Sequence, residues 1–221
     1  MSEGSAALHA STTQTEEPLA EPERRLYCIA GLGNPGSRYE ATPHNLGFRV
    51  LDELAKRHGI RISSHERGIL SGMGTIRNRN VLLIKPQTFM NNSGTAIRAA
   101  LKFRKLTNRD LIVVYDELDL PWTAVRIKKN GSAAGHNGVR SIIAALDTDF
   151  FTRVRVGIRP SYPLDNATGY VLAPLGPDMR PDLDEVVPYT ADAIESIIAE
   201  GAIKAMAKFN RRARGIQQEE E

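Results

Sequence analysis

The run Leu111-Ile112-Val113-Val114-Tyr115 (LIVVY) constrains the fold more than any other segment of the chain. Five consecutive apolar residues leave no side of a strand for water, so this strand belongs in the centre of a sheet covered on both faces. The neighbouring segments fit that demand. "RLYCIAGL" (25–32) reads as a strand, and "LGFRVLDELAKRH" (46–58) carries helical spacing at Leu46, Val50 and Leu54, closed by Gly59. "ILSGMGTIR" and "NVLLIKP" read as a hairpin across Asn78-Arg79-Asn80. Ser93 to Phe103 reads as a helix with Ala96, Ile97, Ala100 and Leu101 on its apolar face. "AVRIKK" follows as a strand, then a Gly/Ala/Ser loop, the helix "GVRSIIAALD" and the half-buried strand "RVRVGI". Residues 177–214 read as a long helical stretch kinked or divided at Pro188. Strands alternating with helices predict an α/β fold, a single domain with a twisted mixed sheet and helices on both faces.

Charge is distributed unevenly along the chain. Residues 1–23 hold Glu3, Glu16, Glu17, Glu21 and Glu23 with no Lys or Arg, and the chain ends in Glu219, Glu220 and Glu221. Residues 1–23 are expected to be a disordered acidic tail and 216–221 a short acidic one. That leaves 29 basic against 18 acidic residues across 24–215, a net charge of +11 for the expected domain. A body that basic suits either a polyanion such as a nucleic acid or a solvated basic surface. No run of 18 apolar residues is present, the N-terminus has no apolar core or Arg clusters, and Cys28 has no second cysteine to pair with. A cytoplasmic chain without a membrane span is expected, with Cys28 as a buried strand residue.

Gly31, Gly33 and Gly36 in "IAGLGNPGSRYEATPHN" spell a dinucleotide-binding fingerprint. The geometry behind the letters is missing. Pro35 precedes the third glycine, Pro43 delays the helix, and Asp52 and Glu53, at the distance expected for a ribose-binding acid, fall inside that helix. The loop is read instead as a tight turn that presents Asn34 at a strand's carboxyl end, with His44 at the helix start.

Ligands of open α/β sheets bind outside the carboxyl ends of the strands. Four segments bring polar groups there: Asn34 with Tyr39 and His44-Asn45, Phe89 to Asn92, Asp116 with Glu117 and Asp119, and His136-Asn137-Gly138. A histidine beside a carboxylate and several amides is a general-base set. The imidazole takes a proton near neutral pH, the carboxylate fixes its tautomer, and the amides donate to a developing oxyanion. Such a set suits water attack on an ester or amide. Asn34 equally suits turn geometry, His44 a helix start, and Phe89 and Met90 a core. Asp116 is harder to assign to structure alone, because a carboxylate after a core strand is costly without partners. His9, His58 and His65 are read as surface residues. No spacing argues for zinc.

"GLGNPGSRYEATPHNLGF", "KPQTFMNNSG", "YDELDLP", "GHNGVRSI" and "FTRVRVGIRP", in this order, resemble bacterial-type peptidyl-tRNA hydrolase over nearly all of the chain after the first tail. The resemblance implies a three-layer α/β/α domain that hydrolyses the ester between peptide and tRNA, without metal or cofactor; a monomer is the default expectation. It implies His44 as general base and Asp116 as its orienting partner. Asn34, Asn91 and Asn137 would align the terminal adenosine, the peptide carbonyl and the water. Tyr39, Phe89 and Met90 would line the peptide groove, and Lys128 and Arg155 would grip the tRNA 5′ phosphate. RNA, not DNA or membrane, is the implied partner. Pro43 stands where many relatives have Arg, and Ala133-Ala134 occupies a loop usually richer in glycine. Two other readings compete: a hydrolase-like RNA-splicing cofactor of plant organelles, and a nucleotide-binding oxidoreductase.

Overall fold

The computed structural model describes residues 25–210, so both expected acidic tails and His9 lie outside the described residues. Seven strands form one sheet: β1 (Leu26–Gly31), β2 (Ser64–Glu66), β3 (Ile69–Ile76), β4 (Arg79–Pro86), β5 (Leu111–Pro121), β6 (Val125–Lys128) and β7 (Thr152–Arg159). Their spatial order is β2-β3-β4-β1-β5-β7-β6. The four inner strands β4, β1, β5 and β7 are parallel, and β2, β3 and β6 add antiparallel edges. The apolar run lies inside the sheet, between β1 and β7, where both faces are covered. Helices α1 (Leu46–Arg57), α5 (Arg180–Glu200) and α6 (Ala202–Phe209) enclose one core layer with one sheet face. Helices α2 (Ser93–Phe103) and α3 (Asn137–Leu146) enclose the other. The expected three-layer α/β/α arrangement is the one observed.

Several local expectations change. The β3–β4 turn is Arg77-Asn78, both at positive φ (50° and 59°), so Arg79 and Asn80 already belong to β4. Two left-handed residues match the right-handed twist of a hairpin, which a longer loop would not need. Pro188 sits inside an unbroken α5, and the helical stretch divides at Gly201, φ +88°. The apolar face from Leu183 to Ile198 packs on the core and holds the helix together across the missing N–H. Strand β7 is not half-buried: Arg153 is 2% exposed, and its guanidinium donates to the Ser132 and Asp149 carbonyls at 2.7 and 3.0 Å. His58 is not a free surface residue, because its Nε2 lies 3.1 Å from buried Glu195. The short helix α4 (Ala167–Leu172), capped by the Asn166 side chain on the Gly169 N–H, had no counterpart in the sequence reading.

The fingerprint glycines serve packing. A β-carbon on Gly31 would run into the Gly47 carbonyl, and one on Gly47 would strike the Leu32 backbone and the Val114 carbonyl. The first turns of α1 therefore lie directly on the ends of β1 and β5, which brings the residues before α1 to the end of the sheet. Cys28 is fully buried on β1, and that burial, with Asp110 adding, pushes its thiol up to about 12.

Candidate active site

Strand β5 runs on past Asp116, whereas β1 stops at Gly31, which is paired with Val114. Asp116 is still held by β7 through Val156 but has outrun its other neighbour. Its side chain, 2% exposed, enters the space so opened. His44 arrives from the short turn Pro43–Asn45 that leads into α1, and Pro43 occupies the first position of that turn, where no N–H is required. His136 arrives as the cap of α3, its Nδ1 accepting the Val139 N–H at 3.3 Å.

The three side chains meet on the carboxylate. His44 Nδ1 lies 3.0 and 2.9 Å from the two Asp116 oxygens, and His136 Nε2 lies 3.1 Å from Oδ1. An ionised carboxylate only accepts, so both rings donate to it. His44 is thereby fixed with Nδ1 protonated, and its Nε2 is the nitrogen left for a ligand in the cavity. Burial pulls the His44 pKa down, but the Asp116 charge and hydrogen bond outweigh it and the net direction is up. For Asp116, burial pushes upward, and the paired histidines hold the carboxyl well below the usual range. The ring nitrogens and carboxylate oxygen of His44, Asp116 and His136 lie within 4.8 Å of one another, the one grouping of three potential metal ligands among the described residues.

Asn34 is oriented by its neighbours. Its Oδ1 accepts the Met90 N–H at 2.9 Å, so its Nδ2 is the end free to donate. Buried Asn45 clamps the Asn34 backbone from both sides, accepting its N–H at 2.8 Å and donating to its carbonyl at 3.0 Å. Asn34, Tyr39, His44, Phe89, Met90, Asn91, Asp116 and Asn137 all line a cavity of about 480 Å³. Met90 is 5% exposed and belongs to the core as well as to the wall, whereas Phe89 is 60% exposed and is not a core residue. Asn137 accepts from Arg140 Nη1 at 2.8 Å. The helix α4 contributes Val171 and Leu172 to the same cavity. A base aimed at a mixed apolar and amide-lined cleft can activate water against a bound carbonyl.

A family profile described as peptidyl-tRNA hydrolase matches residues 28–218. The chain belongs to the peptidyl-tRNA hydrolase family. It is 48% identical over 195 residues to a peptidyl-tRNA hydrolase of Solibacter usitatus, covering 88% of this chain and 100% of that one. A Koribacter versatilis relative of the same name is 44% identical, with 83% and 92% covered. The crystal structure of peptidyl-tRNA hydrolase from Acinetobacter baumannii superposes with a TM-score of 0.78 at 30% identity, covering 85% of this chain and 96% of that one. A crystal structure of a peptidyl-tRNA hydrolase complexed with N-propanol gives 0.80 at 29% identity, covering 89% and 100%.

Of the two cations that the family resemblance singles out, Lys128 is exposed at the end of β6. Arg155 is 11% exposed at its side chain and bound to Glu117, with Nε and Nη2 at 2.8 and 2.7 Å from the same oxygen. Three contributors named among the polar groups of the sequence had no contact assigned to them there. His136 had a signal in its place before Asn137 in a Gly-rich loop, and Asn45 in following His44. The Glu117–Arg155 pair had none, because 38 residues separate its partners. No described helix is long and apolar enough to cross a membrane.

Proposed function

We propose that this chain hydrolyses the ester joining a peptide to the 3′ end of tRNA, with His44 as general base. The observation that carries the proposal is the His44 Nδ1 contact with Asp116, which leaves Nε2 for water in the cavity. Nε2 removes a proton as the water oxygen attacks the ester carbonyl, and Asp116 stabilises the imidazolium that forms. The Asn34 Nδ2 donates to the carbonyl oxygen as it becomes an oxyanion. Collapse expels the ribose oxygen, which takes the proton back from His44. The products are a peptide carboxylate and a tRNA hydroxyl.

Asn91 and Asn137 sit at the starts of α2 and α3, on the cavity wall, and supply amides for the terminal adenosine and the water. Tyr39, Phe89 and Met90 line the peptide side. Lys128 and Arg155 lie on one sheet face, since Lys128 pairs with Arg153 and Arg155 with Arg126, and hold the 5′ phosphate. We take the chain to act as a monomer, and the chemistry suits the cytoplasm, where peptidyl-tRNA arises. The RNA-splicing reading gives no task to an aligned His–Asp pair and predicts no cleavage.

The test is cleavage of a purified peptidyl-tRNA by the wild-type chain alone and by His44→Ala. Removing a general base costs about 10²–10⁴ in rate, while tRNA affinity is expected to persist. Near-normal cleavage by His44→Ala refutes the base assignment, and no cleavage by the wild-type chain refutes the hydrolase reading.

A further inference from the structure

Charge is polarised across the sheet. Residues 93–109, comprising α2 and the turn after it, contain Arg98, Lys102, Arg104, Lys105 and Arg109 and no acid. On the opposite side, α5 carries Asp182, Asp184, Glu185, Asp192, Glu195 and Glu200 against the single base Arg180. The cations of the sheet point to the same side as α2. Arg153 and Arg155 are in register with Val113 and Tyr115 of β5, whose side chains belong to the core beneath α2 and α3. Arg126 and Lys128 face those arginines across the β6–β7 ladder.

Arg98 and Lys102 stand one turn apart on α2, and Lys105 follows two residues past the helix end, at positive φ. All three are exposed and none makes a side-chain hydrogen bond or ion pair among the described residues. Arg98 and Lys102 are like charges one turn apart, an arrangement that repels. An ordinary solvated helix face mixes signs, as α1 does with Arg49, Asp52, Glu53, Lys56 and Arg57. At the last position of the helix, Phe103 is 49% exposed with the Arg67 guanidinium 4.3 Å from its ring centre, which continues the cationic face. The other end of α2 is the cavity wall, where Met90 and Asn91 precede Ser93.

We propose that Arg98, Lys102 and Lys105 form a second contact surface for tRNA, gripping the ribose-phosphate backbone of the molecule whose 3′ end occupies the cavity. The proposal rests on the hydrolase reading for its ligand. A polyanion meets the positive side of the molecule and is repelled from α5, so approach and alignment follow from the field before any close contact forms. Lys128 and Arg155 then hold one point of the RNA and α2 another. The contacts are to phosphate and carry no sequence information, as a substrate class defined by its ester and not by its anticodon requires.

The experiment compares three full-length chains: wild type, Arg98→Gln/Lys102→Gln/Lys105→Asn, and a control with equal charge loss on the other side, Lys56→Gln/Arg180→Gln/Lys204→Gln. Asn at 105 suits the positive φ of 54° there. Binding of uncharged tRNA is measured against salt, and cleavage is measured on peptidyl-tRNA and on a short peptidyl-CCA ester. Loss of three phosphate contacts lowers the slope of log K against log salt by about 2–3. The α2 variant is expected to show that loss and a KM for peptidyl-tRNA raised tenfold or more, with the short ester cleaved as by wild type. The control is expected to keep the wild-type slope. An unchanged slope in the α2 variant, an equal fall in the control, or equal loss on the short ester overturns the proposal. Because binding of uncharged tRNA involves no chemistry, it decides this surface even if the wild-type chain fails to cleave.

Discussion

Asp116→Asn isolates the charge at the centre of the site while keeping its shape. The carboxylate accepts from both His44 and His136, and an asparagine has one oxygen for these two donors. If the amide oxygen stays with His136 at Oδ1, His44 Nδ1 must share it at 3.0 Å while the amide nitrogen stands 2.9 Å away, where two donors would face each other. The imidazole escapes by moving its proton to Nε2, the nitrogen that the proposed mechanism needs free to receive one from water. The variant also loses the attraction between imidazolium and carboxylate. At about 3 Å and an effective dielectric of 20, that attraction is about 5 kcal/mol, so kcat is expected to fall by about 10³–10⁴. The assay is kcat against pH from 5 to 9 on a peptidyl-tRNA. The wild-type acidic limb is expected above the free-histidine value of 6.5, because Asp116 raises His44, and the variant limb is expected lower. Stability follows by linkage. The depressed Asp116 contributes above 3.8 and loses its contribution as pH falls below it, and the raised His44 contributes below 6.5 and loses its contribution as pH rises through its folded value. The pair thus stabilises most between these limits, and melts of the variant should lack the fall on either side. An unmoved limb with less than a tenfold loss of rate would refute this account of Asp116.

Asn45→Ala removes both clamps on the Asn34 backbone at a site only 2% exposed. It should cost about 1–3 kcal/mol in denaturant titration and lower kcat more than it raises KM; a change in KM alone would argue against a positioning role. Arg155→Met leaves the Glu117 carboxylate, 1% exposed, without its partner and should destabilise the fold by about 3 kcal/mol. Lys128→Gln should leave stability unchanged, and both should flatten the salt dependence of tRNA binding; equal melting of the two chains would show that Glu117 finds another partner. Ala134 lines the cavity at φ +45°. Ala134→Gly relieves about 1–2 kcal/mol of backbone strain against a smaller entropic loss, so Tm should rise by about 2–4 °C, and a lower Tm would contradict the strain.

What the sequence disclosed follows from the range of the forces involved. The run LIVVY and the Ala96, Ile97, Ala100 and Leu101 stripe report burial directly, so the interior strand and the bounds of α2 at Ser93 and Phe103 were legible. The helix break was misplaced because Pro188 is a local signal, whereas the packing of α5 that overrides it comes from residues on β5, β7 and α1. The site shows the same division. Asn34, His44, Asp116 and Asn137 were legible as polar groups in loops at strand ends. The orientation of those groups was not, because it depends on Asn45 reaching back 11 residues, His136 meeting Asp116 across 20, and Glu117 meeting Arg155 across 38. The glycines connect the two levels. Gly47 is one letter in an amphipathic helix, yet only a residue without a β-carbon lets α1 lie against the Leu32 backbone and the Val114 carbonyl. The turn holding His44 is the chain immediately before that helix, so this close approach sets how near His44 comes to Asp116, two residues beyond Val114.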